Sequence, residues 1–121
     1  MTEDFITFEL AKKLKEKGYT LDTAFHYDDN GVIIVSLVEF DERCVYPCPE
    51  IHQVLKWLRE KNAMHISISL YSKGWYCDVY TYEYYEEYRE YDAKHVVQLD
   101  EFSAYEEAAL AGIEYVLDNL I

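Results

Sequence analysis

Only 11 residues are lysine or arginine against 24 aspartates and glutamates, which leaves a formal net charge of −13. That shortage of cations argues against direct binding to nucleic acid, whose phosphates are held by Lys and Arg gathered in a patch. Glycine is scarce as well. The four glycines make no G-x-x-x-x-G-K, G-x-G-x-x-G or G-x-S-x-G, so there is no phosphate-cradling loop and no nucleophile elbow. Three cysteines are an odd number where a disulfide framework wants pairs; reduced thiols in a reducing compartment fit them best. No apolar run nears the roughly 18 residues of a membrane helix. The start, with Glu3 and Asp4 ahead of Phe5, lacks the basic opening of a signal peptide. A cytoplasmic protein that does not enter a membrane is expected.

Half of the 121 residues are hydrophobic, enough for one domain, residues 1–121, to bury about two-thirds of its unfolded surface. The most informative stretch is Pro49 to Leu70. Ile51, Val54, Leu55 and Leu58 recur at helical spacing and predict a helix with one buried face. Pro49 suits its first turn and Asn62 a left-handed stop. The period then drops from 3.6 to 2: Met64, Ile66, Ile68 and Leu70 alternate with polar residues, the pattern of a half-buried strand.

Before that stretch, Thr7 can cap a helix from Phe8 to Lys17, with Phe8, Ala11 and Leu14 inward. Gly18 and Tyr19 fit a Schellman ending over Leu14. Asn30-Gly31 lies between β-rich runs at Ala24 to Asp28 and Val32 to Phe40. A two-residue hairpin loop there would pair Tyr27 with Ile34. The nearly continuous apolar run from Val32 reads as a central strand, and 41–48 as loop before the helix.

After the alternating strand, Ser72-Lys73-Gly74 turns the chain into Trp75 to Tyr82. Trp75, Cys77, Val79 and Thr81 share one face and Tyr76, Asp78, Tyr80 and Tyr82 the other. Residues 83–92 (EYYEEYREYD) are too charged for a core strand and read as a loop or a protruding extension of the hairpin; His95 to Leu99 can add a short edge strand. Ser103 and Glu106 form an S-x-x-E capping box for a last helix, with Tyr105, Ala109, Gly112, Ile113, Val116 and Leu120 inward. Gly112 costs a helix about 1 kcal/mol relative to alanine, so close approach of helix to sheet is expected there. The resulting order, α-β-β-α-β-β-(β)-α, predicts an α+β two-layer sandwich, a mostly antiparallel sheet with helices on one face. The link through the central helix is long enough for a right-handed parallel crossover.

Five segments carry a resemblance: ITFELAKKLKEKGY (6–19), AFHYDDNG (24–31), PEIHQVLKWLREKNAMHISI (49–68), GWY (74–76) and SAYEEAALAGIEYVLDNLI (103–121). As a set they resemble a group of small phage- and prophage-encoded proteins, with a helix ending in KEKG-aromatic, a WLREK helix leading into an alternating strand, a Trp strand and a terminal YEEA helix. The resemblance implies origin in a mobile element and supplies no catalytic residues. Residues 83–92 have no counterpart in it.

The residues that could carry chemistry are few. Cys44, Cys48 and His52 invite a zinc reading, but a tetrahedral site needs a fourth ligand and Cys77 lies on an apolar strand face; free buried cysteines are the simpler reading. No base stands near a cysteine in sequence to make a nucleophile, and His26, His52, His65 and His95 show no metal-binding spacing. Trp57 lies on the flank of its helix stripe. No catalytic residue, cofactor or metal is called for. What stands out is tyrosine: Tyr76, Tyr80, Tyr82, Tyr84, Tyr85, Tyr88 and Tyr91 fall within residues 76–91. Such rings either coat the protein itself or form a binding surface, since tyrosine offers large contact area with few torsions. The charge is concentrated here too, with 12 acidic and 3 basic residues in 63–121 against 12 and 8 in 1–62.

The leading expectation is a non-enzymatic interaction or regulatory module whose partner is a protein, basic in character, met by the tyrosine-rich acidic region; self-association stays open. One alternative is a DNA-mimicking inhibitor of a nucleic-acid enzyme. Another is a small-molecule site or enzyme between sheet and helices.

Overall fold

The computed structural model describes residues 4–19, 23–35 and 42–121. The chain is α+β, with three helices and two antiparallel three-stranded sheets. It divides into two compact units, Met1–Val54 and Leu55–Ile121.

In the first unit Thr7 starts α1 (Phe8–Glu16) by accepting the Leu10 N–H at 3.3 Å on its hydroxyl. The helix ends in the expected Schellman motif. Gly18 takes φ +81°, the Tyr19 N–H reaches the Leu14 carbonyl at 3.0 Å and the Gly18 N–H that of Lys15 at 3.2 Å, which satisfies carbonyls a bare helix end would leave open. Leu10, Ala11 and Leu14 are buried. Phe8 is half-buried, its ring against Tyr27 and Tyr46 at centroid distances of 5.4 and 5.6 Å.

The sheet of this unit has the order β2-β1-β3, with β1 Phe25–Tyr27, β2 Ile33–Val35 and β3 Tyr46–Pro47. The β1-β2 hairpin forms, but its register differs by one residue from the two-residue-loop expectation: Tyr27 pairs with Ile33 and His26 with Ile34. Asp28 is the cause. Its carboxylate accepts the N–H groups of Asn30 and Val32 at 2.8 and 2.9 Å, and its own N–H bonds the Val32 carbonyl at 2.9 Å. The loop is therefore Asp29-Asn30-Gly31, with Gly31 alone at positive φ (+82°) and Asn30 not needing it. A three-residue hairpin loop with glycine in the left-handed position is the arrangement next in frequency to the two-residue one. β2 lies at the edge of the sheet among the described residues rather than at its centre, with Val32 57% and Val35 56% exposed. The expected continuation of this strand to Phe40 lies outside the described residues. Tyr46–Pro47, expected as loop, pairs with β1. Pro47 is tolerated because β3 is an edge strand and the bonds to β1 come from the N–H groups of Val45 and Cys48 on either side.

Helix α2 (Ile51–Asn62) begins one residue after Glu50, whose N–H is accepted by the Gln53 side chain at 2.9 Å, the backward half of a capping box. Pro49 thus precedes the helix instead of sitting in its first turn. Ile51, Val54, Leu55 and Leu58 are buried as expected, and so is Trp57, 4% exposed. The left-handed stop falls at Ala63 (φ 54°), one residue after Asn62.

The second unit contains a β4-β5-β6 meander, with β4 Met64–Tyr71, β5 Gly74–Tyr85 and β6 Glu90–Phe102, covered on one face by α3 (Tyr105–Asn119). The path from β2 through α2 to β4 therefore joins two sheets and makes no parallel crossover. The charged stretch 83–92 is an extension of the β5-β6 hairpin, with Tyr84 opposite Tyr91. β6 is much longer than the edge strand expected at His95 to Leu99. Two bulges interrupt its pairing, between Val79 and Tyr80 and between Trp75 and Cys77; the first leaves Val96 without an opposite number and Glu101, near the second, takes φ 62°.

Met64, Ile66, Cys77 and Val79 are buried, but Leu70 is 63% exposed, so the apolar strand face runs past its cover. On α3 the buried set is Ala108, Ala109, Gly112, Ile113, Val116 and Leu117. Tyr105 and Leu120, expected inward, are at the margin, Tyr105 with its ring edge-on to Trp75 at 5.5 Å. Among the described residues no helix is long and apolar enough to cross a membrane.

The start of α3 corrects the expected capping box. Ala104 is the N-cap and offers no side-chain bond. Glu107, not Glu106, reaches back and accepts both the Ser103 N–H at 3.1 Å and the Ser103 hydroxyl at 2.8 Å. Glu107 also places its charge at the positive end of the helix dipole. Ser103→Ala removes one of the two bonds and is expected to cost about 0.5–1 kcal/mol, whereas Glu107→Ala removes both together with the dipole contact and should cost about 1–2 kcal/mol. Urea denaturation of the two variants checks the order; a larger loss for Ser103→Ala would mean the serine acts as a cap after all.

Candidate functional site

The antiparallel register decides which side chains share a face. Opposite residues point the same way, so His65, Ser67 and Ser69 of β4 stand beside Tyr80, Asp78 and Tyr76 of β5, and beyond these come His95 and Gln98 of β6. The other face holds Ile66, Val79 and Val97, then Ile68, Cys77 and Leu99, and α3 packs on that side through Gly112 against Cys77 and Ile66. The face away from α3 is thus aromatic and polar.

The seven tyrosines singled out in the sequence divide accordingly. Tyr76, Tyr80, Tyr82, Tyr84 and, across the ladder, Tyr91 share the face away from α3. Their rings touch in two groups. Tyr91 lies 4.8 Å from Tyr84 and 5.9 Å from Tyr82 between centroids, and Tyr76 meets Tyr71 edge-on at 4.7 Å. Tyr85 points to the opposite face, where its hydroxyl donates to Glu83 at 2.7 Å. That bond, with the Glu83 and Asp92 charges, raises its pKa. Tyr88 sits in the turn and is 67% exposed.

Three features of this face were not expected. Asp78 Oδ1 binds both His95 Nε2 at 2.9 Å and Gln98 Nε2 at 3.1 Å, so its carboxylate is satisfied within the sheet. The Tyr80 ring stands between His65 and His95, at centroid distances of 6.1 and 5.2 Å, making a row across all three strands. Third, Tyr82 ties the face to the end of α2: its hydroxyl donates to the Arg59 carbonyl and its N–H to that of Ala63 at 3.1 Å. Around these residues lies an open concavity of about 570 Å³, walled by Arg59, His65, Ser67, Tyr80, Tyr82 and Tyr91 and floored in part by Ala93. Alternation along β4 and β5 put His65 and Tyr80 each on the polar face of its strand, and the register pairs them. Pairing of His95 and Gln98 with them depends on the bulge at Val96, which no local pattern announces.

The cysteines lie elsewhere. Cys48 is buried with its Sγ 3.9 Å from the Ile6 carbonyl, Cys44 is half-buried, and His52 Nδ1 lies 3.0 Å from a Glu50 carboxylate oxygen. Among the described residues no group of three or more His, Cys, Asp or Glu is placed to hold a metal ion. Burial, and then the neighbouring Asp78 charge, push the Cys77 thiol up to about 12, which leaves it a poor nucleophile at neutral pH. No protein-family model matches the chain, and neither curated proteins nor solved structures gave a match.

Proposed function

We propose that this chain is a non-enzymatic interaction module of the phage or prophage kind, acting in the cytoplasm, and that it binds a basic protein partner along the β5-β6 arm. The observation that carries this reading is the contact cluster of Tyr82, Tyr84 and Tyr91 on a hairpin whose residues 83–96 are all exposed. Rings in mutual contact are pre-organised, so little side-chain entropy is left to lose on binding. Around them stand Glu83, Glu86, Glu87, Glu90 and Asp92 against Arg89 and Lys94, a net acidic field that attracts a basic surface and repels an acidic one. Mimicry of DNA is less well supported. A mimic needs a row of carboxylates, and on the tyrosine face of β5 the strand offers Asp78, already bonded to His95 and Gln98.

The test is an array of lysine- and arginine-rich peptides beside acidic and neutral ones of equal length, probed with the wild-type chain and with the Tyr84→Ser/Tyr91→Ser variant. Basic peptides should be retained selectively, more weakly at high salt, and the variant should lose them by at least about tenfold at an unchanged melting temperature. Equal retention of acidic peptides would sink the reading, as would a variant that binds like wild type.

A further inference from the structure

Arg59 occupies an unusual position for a cation in so acidic a chain. Its helical neighbours at three and four residues are Leu55, Lys56, Asn62 and Ala63, none of them acidic, so no carboxylate lies within helical reach. Lys56 is the α2 cation that has one, with Glu60 at 4.0 Å. Among the described residues the Arg59 guanidinium has no hydrogen bond or ion pair, while the Arg59 carbonyl is held by the Tyr82 hydroxyl. The backbone of Arg59 is therefore fixed against the sheet face and its charged end left available. It lines the concavity described above, whose walls contain no Asp or Glu at all.

We infer that this concavity is a binding site for a small planar aromatic carboxylate, gripped by Arg59 and stacked among Tyr80, Tyr82 and Tyr91. Its volume, about 570 Å³, lies in the ordinary range for small-molecule sites. Tyrosine rings receive a flat ring in offset or edge-on contact. A guanidinium presents paired N–H donors whose spacing matches a carboxylate. His65 and Ser67, whose side chains make no hydrogen bond among the described residues, add polar groups at the same wall. A monoanion fits better than a phosphate dianion, because the carbonyl end of α2 is the negative end of its dipole and Arg59 supplies one compensating charge. This site shares Tyr82 and Tyr91 with the arm surface, but Arg59 belongs to the concavity alone and Tyr84 to the arm, so Arg59→Gln tests this inference without touching the other reading.

Calorimetric titration of the full chain with indole-3-acetate tests it, beside the neutral indole-3-acetamide and the non-aromatic cyclohexaneacetate. Indole-3-acetate should bind saturably, with each of the other two weaker by at least about tenfold. Arg59→Gln should reduce indole-3-acetate binding by a similar factor, and Tyr85→Ser, on the opposite face, should leave it unchanged. The inference is overturned if the amide binds as well as the acid, if Arg59→Gln binds like wild type, or if no saturable binding is seen up to about 10 mM.

Discussion

Gly112→Leu is expected to abolish cooperative folding of the second unit, with a loss above about 4 kcal/mol, the range reserved for a disrupted core. A Cβ at Gly112 would stand 2.5 Å from Cys77 Sγ and 3.0 Å from Ile66 Cγ2, and both neighbours are buried strand residues with nowhere to retreat. Gly112→Ala is the milder probe. Overpacking of about 1–3 kcal/mol is partly offset by the ~1 kcal/mol alanine gains in a helix. Adding Cys77→Ala to Gly112→Ala removes the closest atom, so the double variant should regain part of the loss. Thermal melts of the three variants decide it: Gly112→Leu melting with wild type would mean that α3 does not lie on this face.

Tyr27→Ala should have the second largest effect, about 3–5 kcal/mol. Tyr27 is 7% exposed, and its hydroxyl donates to the Ile6 carbonyl at 2.5 Å while its ring packs on Phe8. Burial, together with the hydrogen bond and charge of Cys48, raises the pKa of its phenol, which keeps it a neutral donor. Tyr27→Phe isolates the hydroxyl and should cost about 1–2 kcal/mol. Urea denaturation followed by circular dichroism measures both. If Tyr27→Phe unfolds with wild type, the Ile6 carbonyl is satisfied by another donor, for which Cys48 Sγ at 3.9 Å is the nearest at hand.

The helices were legible because their signals are local. Thr7, Gly18 and the Ile51-Val54-Leu55-Leu58 stripe each act within a turn or two of chain, and Gly112 announced its close approach simply by being a glycine in a helix. What the sequence hid was set by competition between neighbours or by distant pairing. Asn30-Gly31 favours a two-residue loop, but the Asp28 carboxylate, two residues earlier, captures two N–H groups and adds a residue to the turn. Ser103 and Glu106 match a capping box, yet Glu107 is the residue that reaches back. Two sheets in place of one could not be read from strand patterns, because alternation identifies a strand and not its partner. At the candidate site, alternation was sufficient to gather Tyr76, Tyr80 and Tyr82. Tyr84 and Tyr85 fall in the charged stretch that reads as loop or extension, and only the β5-β6 register sets them on opposite faces. Alternation could not bring in Arg59, which joins the face only through the hydroxyl of Tyr82.

The bulges in β6 bear on how the molecule survives at high concentration. A strand of 13 residues, mostly exposed and at the edge of its sheet, is a template on which another chain could add and a fibre could grow. The longest unbroken pairing runs from Glu90 to His95, where it meets the bulge at Val96, and a bulge increases the local twist of a ladder. Within that short window Glu90, Asp92 and Lys94 alternate, so an incoming strand would have to bring its own charges into match along one side. The free edge therefore carries two of the devices, a bulge and charged side chains, by which sheet edges discourage the addition of another chain.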